Sequence, residues 1–226
     1  MIKLTGISKI YPTPLAALRD VNLHINSGEF VSIIGQSGSG KTTLAKLLIA
    51  EEKATKGKIE IGGNDITFLG SNNIPYLRRQ IGTIFQDFKL LSRKTVHENV
   101  SFALEVAGKP NRRIKKIVDE VLEIVGLGTK HKSYPRQLSG GEQQRVAIAR
   151  SLVHGPKIMI ADEPTGNLDT INTEEIIDIL KKINEYGTTV LLFTHNREIV
   201  NRLKKRVITL DEGQIILDVE QGKYVL

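Results

Sequence analysis

Eight residues in the first quarter of the chain constrain its fold more than any other segment. They follow the pattern G-x-x-x-x-G-K-[ST], and they are Gly35, Gln36, Ser37, Gly38, Ser39, Gly40, Lys41 and Thr42. The run 29–34 before them is almost entirely apolar, as in a strand that is covered on both faces. The apolar residues after them follow helical spacing, and they are Leu44, Leu47 and Leu48. A strand, a glycine-rich loop and a helix in this order predict a phosphate-binding loop in an α/β fold.

This loop contains the residue types that a nucleotide site needs. Its glycines allow consecutive backbone N–H groups to point at phosphate oxygens, at the positive end of the following helix. Lys41 is predicted to reach the outer phosphates, and the hydroxyl of Thr42 to bind Mg²⁺. The neighbouring Thr43 is included among the predicted ATP-binding residues. The alternative is a chance glycine-rich turn, and the strand–loop–helix context argues against it.

A second glycine-rich segment also begins a predicted helix, far downstream of the first. Its residues are Leu138, Ser139, Gly140, Gly141, Glu142 and Gln143. Ser139 and Glu142 have the spacing of a capping box, so a well-capped helix is the simplest explanation. Two glycines in a first turn, however, weaken a helix by up to ~1 kcal/mol each relative to alanine. They are useful where the backbone approaches an anion closely. Because one nucleotide needs only the first loop, the second is predicted to face the nucleotide of another subunit.

An acidic pair follows a short apolar run, 157–161. Asp162 ends this predicted strand, where a second Mg²⁺ ligand is expected, and Glu163 is predicted to accept a proton from the attacking water. An acidic pair at a strand end often only caps a helix. Beside a complete nucleotide loop, the catalytic interpretation is favoured.

Two further polar residues follow predicted strands. Gln86 comes after 81–85 and is predicted to contact Mg²⁺ or the attacking water, with a surface loop residue as the alternative. His195 comes after 188–194, and a structural histidine is the alternative there. Ligands of open α/β sheets bind at such strand ends, so these residues are predicted to converge on one nucleotide. Tyr11 is predicted to stack on the base, against the alternative of a half-packed tyrosine.

The remaining pattern predicts one domain with two lobes. Residues 88–156 are predicted to form a helical subdomain, because apolar residues recur at helical spacing there, above all in 111–125. The α/β core is predicted to comprise 1–87 and 157–226, with β-structure at its N-terminal end. A hairpin is predicted within 206–225.

Composition narrows the class of protein further. The hydrophobic fraction is 40%, which suits a globular protein, and no apolar run approaches the roughly 18 residues needed to span a bilayer. The first residues lack the apolar centre of a signal peptide, so we expect a cytoplasmic protein. The net charge of +7 could serve nucleic acid or an anionic membrane surface. Its basic residues are dispersed, which favours a solvated surface, and no nucleic acid partner is expected.

Taken together, these motifs resemble those of the ATP-binding-cassette ATPases, over essentially the whole chain. The family's ordered elements match the base-stacking residue Tyr11, the nucleotide loop, Gln86, the signature 138–143, the acidic pair, the D-loop aspartate Asp169 and the switch histidine His195. The resemblance implies a P-loop α/β core with an N-terminal antiparallel β-subdomain and an inserted helical subdomain. It also implies Mg²⁺-ATP hydrolysis by a head-to-tail homodimer, in which each signature faces the partner's nucleotide.

Within this family, the segments 85–91, 95–100, 138–150 and 162–169 are similar to the cell-division members. ATPases of lipoprotein release and macrolide export share some of these segments and are the alternative. The cell-division resemblance implies an integral membrane partner that docks near 86–100, control of cell-wall hydrolases, and a peripheral location on the cytoplasmic face of the membrane. Asn196 departs from the acid common after the switch histidine, and 54–57 lacks a proline common there; neither faces a phosphate.

Overall fold

The computed structural model describes residues 1–12 and 16–223. Its strands are β1 (Ile2–Ile10), β2 (Ala16–Ile25), β3 (Phe30–Ile34), β4 (Lys56–Ile61), β5 (Asn64–Asp65), β6 (Ile81–Ile84), β7 (Ile158–Asp162), β8 (Thr189–Phe193), β9 (Arg206–Asp211) and β10 (Gln214–Val219). Its helices are α1 (Lys41–Leu48), α2 (Ile74–Gln80), α3 (Val96–Val106), α4 (Asn111–Ile124), α5 (Gly140–Leu152), α6 (Thr170–Glu185) and α7 (Arg197–Leu203), with a 3-10 turn at Pro135–Gln137. In these described ranges, no helix is both long enough and apolar enough to cross a membrane.

The first of two compact units comprises Met1–Arg78 and Asn184–Leu226. Four of its strands form an antiparallel sheet in the order β2-β1-β4-β5. Four others run in the order β10-β9-β3-β8, where β3 is parallel to both β8 and β9. Every residue of β3 and β8 is buried, which explains their largely apolar sequences. Burying one such large apolar side chain contributes roughly 1.5–3 kcal/mol, so these two strands anchor the loops at their carboxyl ends.

The second unit comprises Arg79–Ile183. Its two strands, β6 and β7, are parallel, with Ile84 opposite Ala161. The helices α3, α4 and α5 pack against one another, and α5 also packs against β6. α4 contributes a stripe of buried residues at helical spacing, namely Ile114, Val118, Val121 and Leu122. The helical pattern predicted for this region is therefore confirmed.

Most predicted elements are present with shifts of a few residues at their ends. The predicted strand 81–85 ends at Ile84, and the predicted helix 111–125 ends at Ile124. The last two residues of the predicted hairpin 206–225 lie outside the described residues. The sequence pattern did not reveal α2 and α7, because seven residues make too few turns for an apolar stripe to be recognised. The division into 1–87 with 157–226 and 88–156 stays a prediction.

Candidate nucleotide-binding site

The glycine-rich loop of the first unit leaves β3 and leads directly into α1. Gly40 caps α1 with a φ of 104°, in the left-handed region that glycine adopts readily. A Cβ atom at Gly40 would lie 2.5 Å from the carbonyl oxygen of Ala17 and 2.9 Å from Cδ2 of Leu18. A Cβ at Gly35 would collide with the carbonyl oxygen of Leu210. Glycine is therefore required at both ends of the loop, where β2 and β9 press against it.

Lys41 lies folded back across this loop. Its Nζ donates hydrogen bonds to the carbonyl oxygens of Gly35, at 2.8 Å, and Gln36, at 2.9 Å. The residue is only 8% exposed, so its ammonium group is held in place by the backbone of the loop. Thr42, by contrast, is exposed in the first turn of α1. A fixed cation and an exposed hydroxyl at the N-terminal end of a helix are suited to a polyphosphate and its metal ion.

Tyr11 lies beside the N-terminal turn of the same helix. Its hydroxyl is 3.5 Å from Oγ1 of Thr43. The Nζ of Lys9 lies 4.8 Å from the centroid of the Tyr11 ring, within cation–π range. Lys9 is itself held by Glu52, with a separation of 2.7 Å. The aromatic ring is thus positioned next to the nucleotide loop, and its predicted stacking on a base stays a prediction.

His195 follows β8, which is parallel to β3 and pairs Phe193 with Ile33. The backbone N–H of Thr194 donates to the carbonyl oxygen of Ile33 at 3.2 Å. The exposed His195 and Gly35 therefore follow the ends of neighbouring parallel strands. After it, Asn196 caps α7 by accepting hydrogen bonds from the N–H groups of Glu198 and Ile199. An acidic residue would cap a helix in the same way, which explains why asparagine is tolerated there.

The acidic pair of the second unit lies at the end of β7. Asp162 is the last residue of this strand, and Glu163 adopts a φ of 49°, a left-handed conformation that is uncommon outside glycine. Gln86, after the parallel strand β6, lies beside the turn that succeeds β7: a Cβ added to Gly166 would be 3.0 Å from Nε2 of Gln86. Glu163 therefore sits in a sharp turn whose far side contacts Gln86. Such a conformation persists only where the surrounding structure maintains it.

The second glycine-rich segment forms the predicted capping box at the start of α5. Oγ of Ser139 accepts a hydrogen bond from the N–H of Glu142, and Oε2 of Glu142 accepts one from the N–H of Ser139 at 2.9 Å. Nζ of Lys130 lies 3.2 Å from Oε1 of Glu142. The hydrogen bond from Ser139 and the nearby Lys130 lower the pKa of Glu142, against a smaller opposing effect of burial. The first turn of α5 is consequently well ordered.

The D-loop aspartate lies next to this first turn. Oδ1 of Asp169 accepts a hydrogen bond from the N–H of Asn172 at 2.8 Å, and Oδ2 accepts one from its side chain. These hydrogen bonds lower the pKa of Asp169. A Cβ at Gly141 would collide with the side-chain oxygen of Asn172 and lie 2.9 Å from Cβ of Asn172, so a larger residue would force α5 or this part of α6 to shift. This contact gives Gly141 a packing role in addition to the anion-binding role predicted for it.

Three buried or half-buried side chains that the sequence did not single out hold these segments together. Gln144 is fully buried, and its Nε2 donates to the carbonyl oxygen of Pro164 at 2.7 Å. The guanidinium of Arg150 donates to the carbonyl oxygens of Phe88 and Lys89. Asn99 is also fully buried, and its amide bonds four backbone groups of 91–95. The roles of Gln144 and Arg150 become visible only through long-range contacts, whereas Asn99 bonds backbone groups four to eight residues before it.

The structure thus brings the predicted residues together in two groups. The first unit holds the nucleotide loop, Tyr11 and His195; the second holds Gln86, Asp162, Glu163, the signature segment and Asp169. Gly35 and His195 follow neighbouring parallel strands of the first unit, and Gln86 and Asp162 lie at the ends of the two parallel strands of the second. The roles predicted for them in binding and catalysis stay predictions.

Comparison with known proteins identifies relatives of this chain. The family described as ABC transporter matches residues 18–166. The cell division ATP-binding protein FtsE of Bacillus subtilis (strain 168) is 51% identical over 224 residues, which are 99% of this chain and 98% of that protein. The methionine import ATP-binding protein MetN 1 of Salmonella typhimurium is 44% identical over 96% of this chain, which spans 64% of MetN 1.

One solved structure has the same fold over nearly the whole chain. The ATP-binding cassette MJ0796, described as a dimer in a post-hydrolysis state bound to ADP and Pi, superposes with a TM-score of 0.89 and is 36% identical. The match covers 99% of this chain and 100% of that one. The predicted fold class, an α/β P-loop core with an N-terminal antiparallel sheet and inserted helices, is confirmed.

Proposed function

The chain belongs to the ATP-binding-cassette family of ATPases, and on that premise we propose that it is the ATP-hydrolysing subunit of a cell-division complex that acts on an integral membrane protein of the FtsX type. The observation that carries this proposal is the extent of the match to FtsE, which includes nearly the whole of both chains. The match to the import ATPase leaves about a third of that protein without a counterpart.

As an ATPase, the chain cleaves the terminal phosphoryl group of ATP with water. We propose that Lys41 and the backbone N–H groups of 35–42 stabilise the charge that develops on this group. Glu163 would accept the proton of the attacking water, and His195 would contact the same phosphoryl group. Tyr11 would hold the base without reading its identity.

The residues proposed for Mg²⁺ fit that ion chemically. Thr42, Gln86 and Asp162 offer oxygen ligands, and Mg²⁺ is held in such sites by one or two protein ligands together with phosphate and water. When bound, the ion would neutralise charge on the phosphates. Because Thr42 and Asp162 belong to different units, their sharing of one ion stays a prediction.

We propose that two copies pair head to tail when ATP is bound, so that each signature segment faces the nucleotide of the other copy. The dimer of the cassette relative supports the pairing of two copies. Ser139 is exposed at the start of α5, so its hydroxyl is accessible to donate a hydrogen bond to a phosphate of the other copy's nucleotide. Gly141 would present its backbone N–H beside it.

The docking site for the membrane partner is proposed to lie in 86–100. The amide of Asn99 holds the 91–95 turn in one conformation, which would be useful for a docking surface because little ordering is then required on binding. Leu91 in that turn is 36% exposed, so its apolar side chain is accessible to a partner. The complex would place the chain at the cytoplasmic face of the membrane as a peripheral subunit, where it would regulate peptidoglycan hydrolases through the partner.

The test is affinity purification from gently solubilised membranes, with identification of the proteins that accompany the chain. We expect a single FtsX-like protein, its loss in the variant Leu91→Glu, and its retention in Ile216→Glu, a matched change at an exposed residue of β10. Both variants should keep their ATPase activity. Recovery of the same partner with Leu91→Glu would exclude the proposed docking site, and a different membrane partner would exclude the cell-division role.

A second candidate function is transport, favoured by the 44% identity to the import ATPase. In that case the accompanying membrane protein would be a permease, and depletion of the chain would impair uptake or export while division continued. Every catalytic role proposed above would be unchanged, because the ATPase carries little information on cargo.

A further inference from the structure

A cavity of about 540 Å³ opens in the second unit, and none of its lining residues belongs to the motifs described above. It lies between the ends of α2, α3 and α5 and the beginning of α4. Its volume is within the range of small-molecule sites, which is roughly 300–1,000 Å³. The apolar part of its wall includes Leu104, Ile117 and Val153, together with Ala107 and Leu152.

The charged part of the wall is entirely basic. Arg79, Lys109, Arg113 and His154 line the cavity, and no acidic residue is among its described lining residues. Cations commonly gather near the carbonyl ends of helices, which accounts for Lys109 after α3 and His154 after α5. It does not account for Arg113, which lies in the first turn of α4, where a cation is unfavourable.

The pKa of His154 is affected by this concentration of positive charge. Burial lowers the pKa of His154, and the positive charges of Arg79 and Lys109 lower it further. Arg113, on α4, faces the same cavity and adds to that positive field. The first turn of α4 adds to it as well, because Pro110 provides no side-chain cap and no acidic residue lies in that turn. An anion in the cavity would relieve this repulsion.

We propose that this cavity is a binding site for a small soluble organic phosphate, with the phosphate between Arg113, Lys109 and Arg79 and an apolar group against Leu104, Ile117 and Val153. Guanidinium groups bind phosphate through paired, charge-assisted hydrogen bonds, and several cations match a phosphate dianion better than a single carboxylate. The apolar wall favours a phosphate that carries an apolar group over inorganic phosphate. None of the lining residues belongs to the nucleotide loop, which is part of the other unit.

The test follows the ring resonances of the five histidines by NMR, with ADP present so that the nucleotide loop is already filled. His154 is assigned with the variant His154→Gln. Phenyl phosphate should shift the His154 signal saturably and raise its pKa, and it should bind at least about tenfold more tightly than inorganic phosphate, since only it buries an apolar ring. Equal binding of the two probes, or no saturable shift at His154, would overturn the proposal.

Matched variants of α4 separate a specific site from general attraction. Arg113→Gln should weaken the binding of phenyl phosphate about tenfold, as expected for one charge-assisted contact. Arg112→Gln removes the same charge from an exposed neighbour outside the cavity and should change the affinity less than twofold. Lys109→Gln provides a second test if Arg113→Gln fails to fold. The proposal would be overturned if Arg112→Gln weakened the binding of phenyl phosphate as much as the cavity variants do. It would also be overturned if the protein bound phosphatidic acid vesicles but not phenyl phosphate.

Discussion

The side-chain nitrogen of Gln144 donates a 2.7 Å hydrogen bond to the carbonyl oxygen of Pro164. Gln144 belongs to the helix that the signature segment begins, and Pro164 directly follows Glu163. The bond therefore connects the segment proposed to face a second nucleotide with the turn that carries the proposed catalytic base. It is fully buried, and the same nitrogen also approaches the carbonyl oxygen of Phe85, just before Gln86, at 3.4 Å.

Removing this connection should destabilise the fold and slow turnover. In Gln144→Ala, the carbonyl of Pro164 loses its buried donor, and the free energy of unfolding should fall by about 1–3 kcal/mol. We also expect a lower kcat with little change in KM, since the turn of Glu163 is loosened while the nucleotide loop is untouched. Chemical denaturation and steady-state ATPase assays measure the two effects. Gln214→Ala, at an exposed residue of β10, should show neither; equal effects in the two variants would exclude a specific role for Gln144.

Replacing the proposed base should separate binding from hydrolysis. Glu163→Gln keeps the size of the side chain but accepts a proton poorly, so phosphate release should fall by about 10²–10⁴-fold. ATP affinity should stay within a few-fold of the original, because no loop residue changes. Light scattering with ATP should then detect a persistent dimer. The exposed Glu185→Gln is the control, and a Glu163→Gln protein that turns over normally would remove this residue from the mechanism.

Two glycines of the nucleotide loop should differ in their tolerance of alanine. Gly38 and Gly40 both have positive φ values, 82° and 104°, which cost alanine about 1–2 kcal/mol. Only Gly40 is crowded, by the carbonyl oxygen of Ala17, whereas nothing lies within 4 Å of a Cβ at Gly38. Gly40→Ala should therefore lose about 1–3 kcal/mol more than Gly38→Ala. An equal decrease in the free energy of unfolding for the two variants would contradict this, because it would show that the backbone near Gly40 can shift without a loss of stability.

The cap of α5 should respond to acid. Hydrogen bonding from Ser139 lowers the pKa of Glu142 below its ordinary value of 4.5. Its ionised form therefore stabilises the folded chain above about pH 4.5, and this contribution is lost as the pH falls through the lowered pKa. Wild type should be more stable than Glu142→Gln at pH 7, and the difference should shrink towards pH 3. Denaturant midpoints of both proteins at the two pH values test this; a constant difference would contradict it.

The contacts of some site residues can be predicted from the sequence, and those of others cannot. The capping box of Ser139 and Glu142 follows from a spacing of three residues, since a helix start brings those groups together locally. The parallel ends that carry Gly35 and His195 follow from two buried apolar runs. Nothing in the local pattern links Gln144 to Pro164 or Gly141 to Asn172, because those contacts depend on how α5 packs.

By itself, the sequence determined the strand–loop–helix of the nucleotide site, the capped signature helix, the acidic pair at the end of β7 and the family, because each depends on short-range spacing or on motif identity. Only the tertiary structure decided which carbonyl groups hold Lys41 and Gln144, which backbone crowds Gly40, and which basic side chains share one cavity. Those relationships join residues from separate elements. They are set by packing, which depends on the shapes and burial of side chains that are far apart in the sequence. Such contacts produce no periodic pattern along the chain.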